Sequence, residues 1–400
     1  MSAKKTSKPE VSILDQGINA MLKSAAKDAE KNHGFNRLVI AAEAHKLWKY
    51  CDFLDITRGT ARPCIALEWL FGTRGTMNGR ILKLDAEEAT GKSSFLYLLY
   101  GMFLAGGGAF VYNNETERAV MPPDRIAHLG CDPHKLMIYR PAGVVDCLDQ
   151  ITKTVVMLRD VDKADQYPII VGIDSVSALA NQGLDLETGE VSEGGSGAVG
   201  FHSRKFSEFF RNQLDYFEAR NVHILCTGQI KDKISTMPGV PSSKTTIADG
   251  AFKYHASWIV RMTHSNVTGE DAELVTLRTT KNKLAPKGRE LKFKLYRDTR
   301  GWDLTSATAN LLTASYAPLP EFKAGGGYFS HPELNGGKNL RCEDFVDAFY
   351  ANTDLVQRCR EAWKIRGFGF KFEDDFERGV AQEIPDDEAD EEQVPANITP

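Results

Sequence analysis

The chain has 400 residues, 42% of them hydrophobic, and a formal net charge of −5. That length suits two or three domains, or one large α/β domain with appendages, and the apolar content is ample for a sizeable core. No apolar run approaches the roughly eighteen residues of a membrane span, Met1-Ser-Ala-Lys-Lys lacks a signal-peptide apolar stretch, and the seven scattered cysteines show no C-x-x-C pair, so a cytoplasmic protein with reduced thiols and no membrane association is expected.

Residues 1–10 are polar. From Val11 to about Lys31, Ile13, Leu14, Ile18, Met21, Leu22 and Ala25 fall near helical spacing, which predicts a helix ahead of the core. With residues 1–35 it forms a segment that packs on its own domain or on a neighbouring subunit. Residues 37–75 are harder to read, apart from a short helix over Ala66 to Phe71 ended by Gly72.

Next comes Ile81-Leu-Lys-Leu-Asp-Ala-Glu-Glu-Ala-Thr-Gly-Lys-Ser-Ser94, a buried strand, a tight loop and a helix start. Backbone N–H groups of such a loop, with the positive end of the helix, can cradle a polyphosphate. The pattern is G-x-x-x-x-G-K-[ST], in which Lys92 reaches the β- and γ-phosphates and Ser93 ligates Mg²⁺. The loop residues are Ala86, Glu87, Glu88, Ala89, Thr90, Gly91, Lys92, Ser93 and Ser94. Ala86 replaces the first glycine, and alanine tolerates positive φ less well. On this motif alone, a chance Gly-Lys-Ser at a helix start is the plain alternative.

Strands and helices then alternate: strands at Ala109 to Tyr112, Lys135 to Tyr139, Pro168 to Asp174 and Val222 to Thr227, and helices near Asp124 to Leu129, Val145 to Arg159 and Lys205 to Arg220. Continuous apolar runs such as Ile169-Ile-Val-Gly-Ile173 belong to parallel strands covered on both faces. Ala256 to Met262, Glu273 to Lys281 and Glu290 to Tyr296 alternate like antiparallel strands. The expected fold class is α/β, a mixed and mostly parallel central sheet. Its core runs over residues 36–310, followed by a small C-terminal subdomain at 311–371 with a helix from Glu343 to Trp363. Eleven acids lie between Glu373 and Glu392 against Arg378 alone. That tail, 372–400, carries −10 and is expected to be disordered, leaving about +5 on residues 1–372 out of the overall −5. A mildly basic body suits a polyanion partner.

Asp174, at a strand tip, is the candidate Mg²⁺ holder; its plain alternative is a turn-capping carboxylate. Hydrolysis also needs a carboxylate to position water. Glu115 is chosen, with Glu117 its close competitor. Gln229 lies at the end of a strand beside Asp174, where its amide could meet a γ-phosphate. Ile230 to Asp249 and Gly183 to Gly200 read as long loops without apolar period, and such loops inside a compact domain are usually functional or disordered. His202, His255 and His264 read as ordinary histidines, and Trp258 and Trp302 as core.

The order of these pieces, from about Ala66 to Asp303, resembles the RecA family of recombinases, its phage members in particular. The phosphate loop with Glu88, Ile173-Asp-Ser-Val-Ser-Ala-Leu179, Cys226-Thr-Gly-Gln-Ile-Lys-Asp-Lys-Ile234 and Thr280-Lys-Asn-Lys-Leu-Ala-Pro286 carry the resemblance. It implies a RecA-like ATPase using ATP and Mg²⁺, with Gln229 as γ-phosphate sensor and Lys281 and Lys283 reaching the next subunit's ATP site. It further implies a helical filament on single-stranded DNA that pairs with double-stranded DNA, helped by single-strand-binding and mediator proteins. The two loops, about 183–202 and 230–249, resemble the family's DNA-binding loops. Contacts would then come from Lys231, Lys233 and Lys244, and from Arg204 and Arg211, seven residues apart on one helix face. The plain alternative for both sets is a solvated face, and Asp232 and Glu193 dilute the basic character. Rival readings are a hexameric ring motor on the same core and a low-turnover nucleotide-bound scaffold.

Overall fold

The computed structural model describes residues 48–57, 59, 61–117, 120–159, 167–180, 200–233 and 243–367, with Met21 and Lys23. The expected N-terminal helix apart from Met21 and Lys23, most of the loop at about 183–202, the segment 234–242 and the acidic tail lie outside the described residues.

Among the described residues, ten strands form one mixed sheet. The strands are β1 (Ile81–Ala86), β2 (Phe110–Glu115), β3 (Leu136–Tyr139), β4 (Ile169–Asp174), β5 (Val222–Lys233), β6 (Ser243–Thr246), β7 (Trp258–Asn266), β8 (Ala272–Asn282), β9 (Glu290–Tyr296) and β10 (Trp302–Asp303). Across the sheet they run β10-β9-β8-β7-β1-β5-β4-β2-β3, with β6 paired to β5 alone. The six from β7 to β3 are parallel. Antiparallel additions follow at β8, β9 and β10. The α/β class and the mixed, centrally parallel sheet are as the sequence predicts.

Strand pleating sends alternate side chains to opposite faces. Along β4, Ile170 joins the core on one face while Ile169, Val171 and Ile173 join that on the other. The first face is covered by α1 (Ile65–Phe71), α2 (Lys92–Ala105), α7 (Leu304–Leu312), α8 (Cys342–Ala351) and α9 (Thr353–Ala362). The second is covered by α4 (Val144–Arg159), α5 (Phe201–Ala219) and α6 (Asp249–His255). The remaining helix, α3 (Pro123–His128), follows β2. Helix α2 is apolar nearly all round and almost wholly buried, as expected of a helix enclosed by its neighbours. Gly172 makes room for it. A Cβ there would lie 1.6 Å from the Tyr100 hydroxyl, which donates to Asn113 Oδ1 at 2.9 Å.

The stretch over Glu343 to Trp363 is two helices, not one. The break falls at Asn352, whose side chain accepts from Leu355 N–H and caps α9. These helices share the first face's core with Ile65 and Trp69, and residues up to Phe368 form one compact unit. No described helix is long and apolar enough to cross a membrane.

A buried ion pair ties α9 to α1. Arg360 Nε and Nη2 each donate to the Glu68 carboxylate at 2.8 Å, and both side chains are buried. Burial pushes Glu68 up to about 7, with Arg360 pulling the other way. Removing one partner of such a pair leaves an uncompensated charge, worth about 3–5 kcal/mol. Arg360→Met should therefore lower stability by that order at pH 8. The loss should shrink towards pH 5.5, because Glu68 then takes up a proton in the folded state and becomes neutral. Thermal denaturation at the two pH values checks this.

Candidate functional site

Parallel register brings the carboxyl ends of β1, β5, β4 and β2 to one edge of the sheet. Ala86 pairs with Gln229, and Glu115 with Asp174. Over this edge lies a cleft of about 730 Å³, walled by Glu88 to Ser94, Thr116, Glu117 and Gln229, with Arg125, Glu273, Leu295 and Arg297 opposite.

The loop from Glu87 to Gly91 turns into α2 through a left-handed Gly91 at φ 85°. The Thr90 hydroxyl donates to Glu87 O at 2.9 Å, and Lys92 Nζ donates to the same carbonyl at 2.7 Å. These two bonds fix the loop as a ring of inward-facing backbone. Ala86 needs no glycine: it is the last residue of β1, and the positive φ falls on Ala89 and Gly91 instead. The expected strain at Ala86 is absent because the strand runs further than its apolar run suggests. Burial pushes the Lys92 ammonium below the usual lysine range, opposed by Glu117 and Asp174.

Asp174 is buried at the tip of β4. Burial raises its pKa, and hydrogen bonds from Thr227 and Ser93 lower it. Thr227 Oγ1 donates to Asp174 Oδ1 at 2.5 Å. Among the described residues no cluster of three or more His, Cys, Asp or Glu is placed to hold a metal ion. The donor set of Ser93 and Asp174 fits Mg²⁺, which usually takes one or two protein oxygens and completes its shell with water and phosphate.

Glu115 and Glu117 part company. Glu115 is buried beneath the cleft, and burial with the neighbouring Asp174 charge pushes it up to about 7. It accepts Glu117 N–H at 3.2 Å. Glu117 is exposed, lines the cleft, and accepts the Ser175 hydroxyl at 2.9 Å. Of the two carboxylates, Glu117 is the one that lines the cleft. Strand β2 runs on to Glu115, which is buried, and the chain leaves the strand before a carboxylate lines the cleft.

Gln229 is not at a strand end. Its N–H donates to Ser177 Oγ at 2.8 Å, and β5 continues through Lys233 to pair with β6, Lys231 opposite Thr245 and Thr246 opposite Ile230. The described parts of the expected loop at 230–249, namely 230–233 and 243–246, are therefore the paired strands of a β-ribbon, followed by α6. It escaped the apolar pattern because its strands are mostly polar, Ile230-Lys-Asp-Lys233 and Ser243-Lys-Thr-Thr246. Lys231 is exposed on it. Lys233 and Lys244 lie on its two strands, and their side chains are outside those described.

Lys281 and Lys283 lie far from the cleft. They flank Asn282, the last residue of β8, which pairs with Trp258, itself paired with Leu82 near the start of β1. That is the opposite edge of the sheet. Lys281 Nζ donates to Lys253 O and Lys283 Nζ to Tyr254 O, at the carboxyl end of α6. Burial and the Lys283 charge push Lys281 down to about 8. Arg204 and Arg211 are both exposed on α5, opposite the buried Phe206, Phe210 and Phe217. Arg211 acts on His255 alongside both lysines, so it belongs with that basic edge rather than with the ribbon. Arg125 and Arg297 were not picked out by the sequence pattern. They carry no motif and meet only because β9 folds back, where Arg125 Nη1 donates to Arg297 O at 3.2 Å.

Comparison with known proteins agrees with this layout. A family model of the RecA N-terminal domain matches residues 21–300. Protein RecA of Thermus thermophilus is 26% identical over 354 residues, covering 87% of this chain and 94% of that protein. Protein RecA of Thermus aquaticus is 26% identical over 339 residues (82% and 90%), and that of Chloroherpeton thalassium 30% over 237 (58% and 61%). The family match takes in the phosphate loop, Asp174, Gln229 and the lysine pair, and on it the chain belongs to the RecA family.

Proposed function

We propose that this protein is an ATP-dependent recombinase that assembles on single-stranded DNA and carries out homologous pairing and strand exchange. The observation that supports this reading best is the separation of the phosphate cleft from Lys281 and Lys283 on opposite edges of one sheet. Lysines so placed serve a cleft only on another copy, stacked head to tail, and a head-to-tail contact propagates as a helix unless it closes into a ring.

The loop N–H groups and Lys92 bind the triphosphate, and Ser93 with Asp174 would hold Mg²⁺. The bound ion supplies neutralisation of charge on the phosphate oxygens. Glu117, keyed by Ser175, orients the attacking water, while Glu115 below fixes the turn that presents it. Gln229 at the root of the ribbon senses the terminal phosphate and passes its presence to Lys231 and its neighbours. Phosphate-led contacts of this kind are sequence-tolerant and weaken steeply with salt.

Glu117→Gln should lower DNA-stimulated ATP turnover about 10²–10⁴-fold, the usual worth of a positioned acid or base, with ATP binding retained. A larger loss from Glu115→Gln would instead restore Glu115 to that role. Lys92→Ala and the double variant Lys281→Ala, Lys283→Ala should each be inactive in ATP hydrolysis and strand exchange. Mixed together, they should regain part of the ATPase, because the first lends its lysines to the intact cleft of the second. No recovery on mixing would sink the shared site, and closed six-membered rings in electron micrographs with ATP and single-stranded DNA would favour a motor.

A further inference from the structure

Strand β1 carries two charges on a face that is otherwise core. Lys83 and Asp85, two residues apart, point to the side covered by α5 and α6, and Lys83 has no exposed surface. Its Nζ lies 3.0 Å from Asp85 Oδ1, 4.8 Å from the centre of the Phe252 ring, and donates to Thr246 Oγ1 at 2.6 Å. The neighbouring strand is shaped to admit this group. A Cβ on Gly228 would fall 2.6 Å from Asp85 Oδ1 and 3.1 Å from Lys83 Cε. An aliphatic side chain at position 83 would serve the core at least as well, since burying a charge pair is at best neutral against apolar packing. What the lysine adds is a fixed bond to one residue of the ribbon.

Thr246 is the last residue of β6 and pairs with Ile230, next to Gln229. The ribbon therefore stands on two feet. One is Gln229 in the cleft, and the other is Thr246, held to the strand that leads into the phosphate loop. We propose that Lys83, braced by Asp85, is a positioning residue that anchors the returning foot of the ribbon, so that displacement of Gln229 tilts the ribbon about Thr246 instead of shifting it bodily. The inference rests on the reading of Gln229 and the ribbon given above. It adds the fulcrum that a lever of this kind requires, because motion at one foot becomes rotation only if the other is held. A two-state element with an anchored end also transmits a small displacement at the site without loss in slack.

The test uses the full chain and a labelled single-stranded oligonucleotide at fixed salt. The quantity read is the ratio of DNA affinities with a non-hydrolysable ATP analogue and with ADP. Thr246→Val keeps the shape and removes the acceptor, while Thr246→Ser keeps a hydroxyl. Wild type and Thr246→Ser should share a ratio well above one, and Thr246→Val should lose about tenfold of it, within the 5–150-fold span of ordinary coupling. Nucleotide affinity and melting temperature, which a purely structural role would change, should stay near wild type. If Thr246→Val weakens the fold, the joint exchange Lys83→Met, Asp85→Asn is read in the same assay, since it replaces the pair by neutral groups of similar size. A wild-type ratio well above one that either variant leaves within about twofold would overturn the fulcrum alone, given the same expected coupling span. A wild-type ratio of one would overturn the reading of Gln229 as sensor, and the fulcrum with it.

Discussion

The parallel register of β1, β5, β4 and β2 is the constraint on which the rest of the molecule depends. Pairing Ala86 with Gln229 and Glu115 with Asp174 puts the Gly91-Lys92-Ser93 loop, a candidate metal carboxylate, a candidate sensor and the exit towards Glu117 on one edge. A slip of one residue would turn every side chain to the other face. The apolar residues of both faces, split between two cores, hold the register against that slip.

That edge gathers charge at a cost that the surroundings offset only in part. Glu115, Glu117 and Asp174 crowd together, and burial makes the ionised forms of Glu115 and Asp174 harder to keep. Hydrogen bonds from Thr227 and Ser93 favour the charged Asp174, and Lys92 supplies the nearest positive charge. An arrangement in which carboxylates stay charged only with local help suits a site awaiting a cation and a polyphosphate, because those ligands change the electrostatics most where they are least satisfied.

The opposite edge is built from the other half of the same pairing. Strand β8 runs back along β7, so its end carries Lys281 and Lys283 to the start of the parallel strands, where they rest on the last carbonyls of α6. Cations at a helix carboxyl end meet its negative pole, which steadies two like charges side by side. A chain with the cleft at one edge and a cationic pair at the other presents the two parts that the proposed head-to-tail assembly would join.

Much of this was legible in the residue pattern. Continuous apolar runs gave the parallel strands and Gly91-Lys92-Ser93 the helix entry, because each depends on contacts within a few residues or on a two-faced core. What remained hidden depends on where a chain goes after its core is complete. The ribbon of β5 and β6 is mostly polar in sequence, so no hydrophobic period marks it. Which of Glu115 and Glu117 reaches the cleft turns on where β2 stops, and the pairing of Lys83 with Thr246 joins residues 163 apart. Local sequence determined the elements and the phosphate loop. Only tertiary register decided which carboxylate faces the cleft, which edge carries the lysines, and what anchors the ribbon.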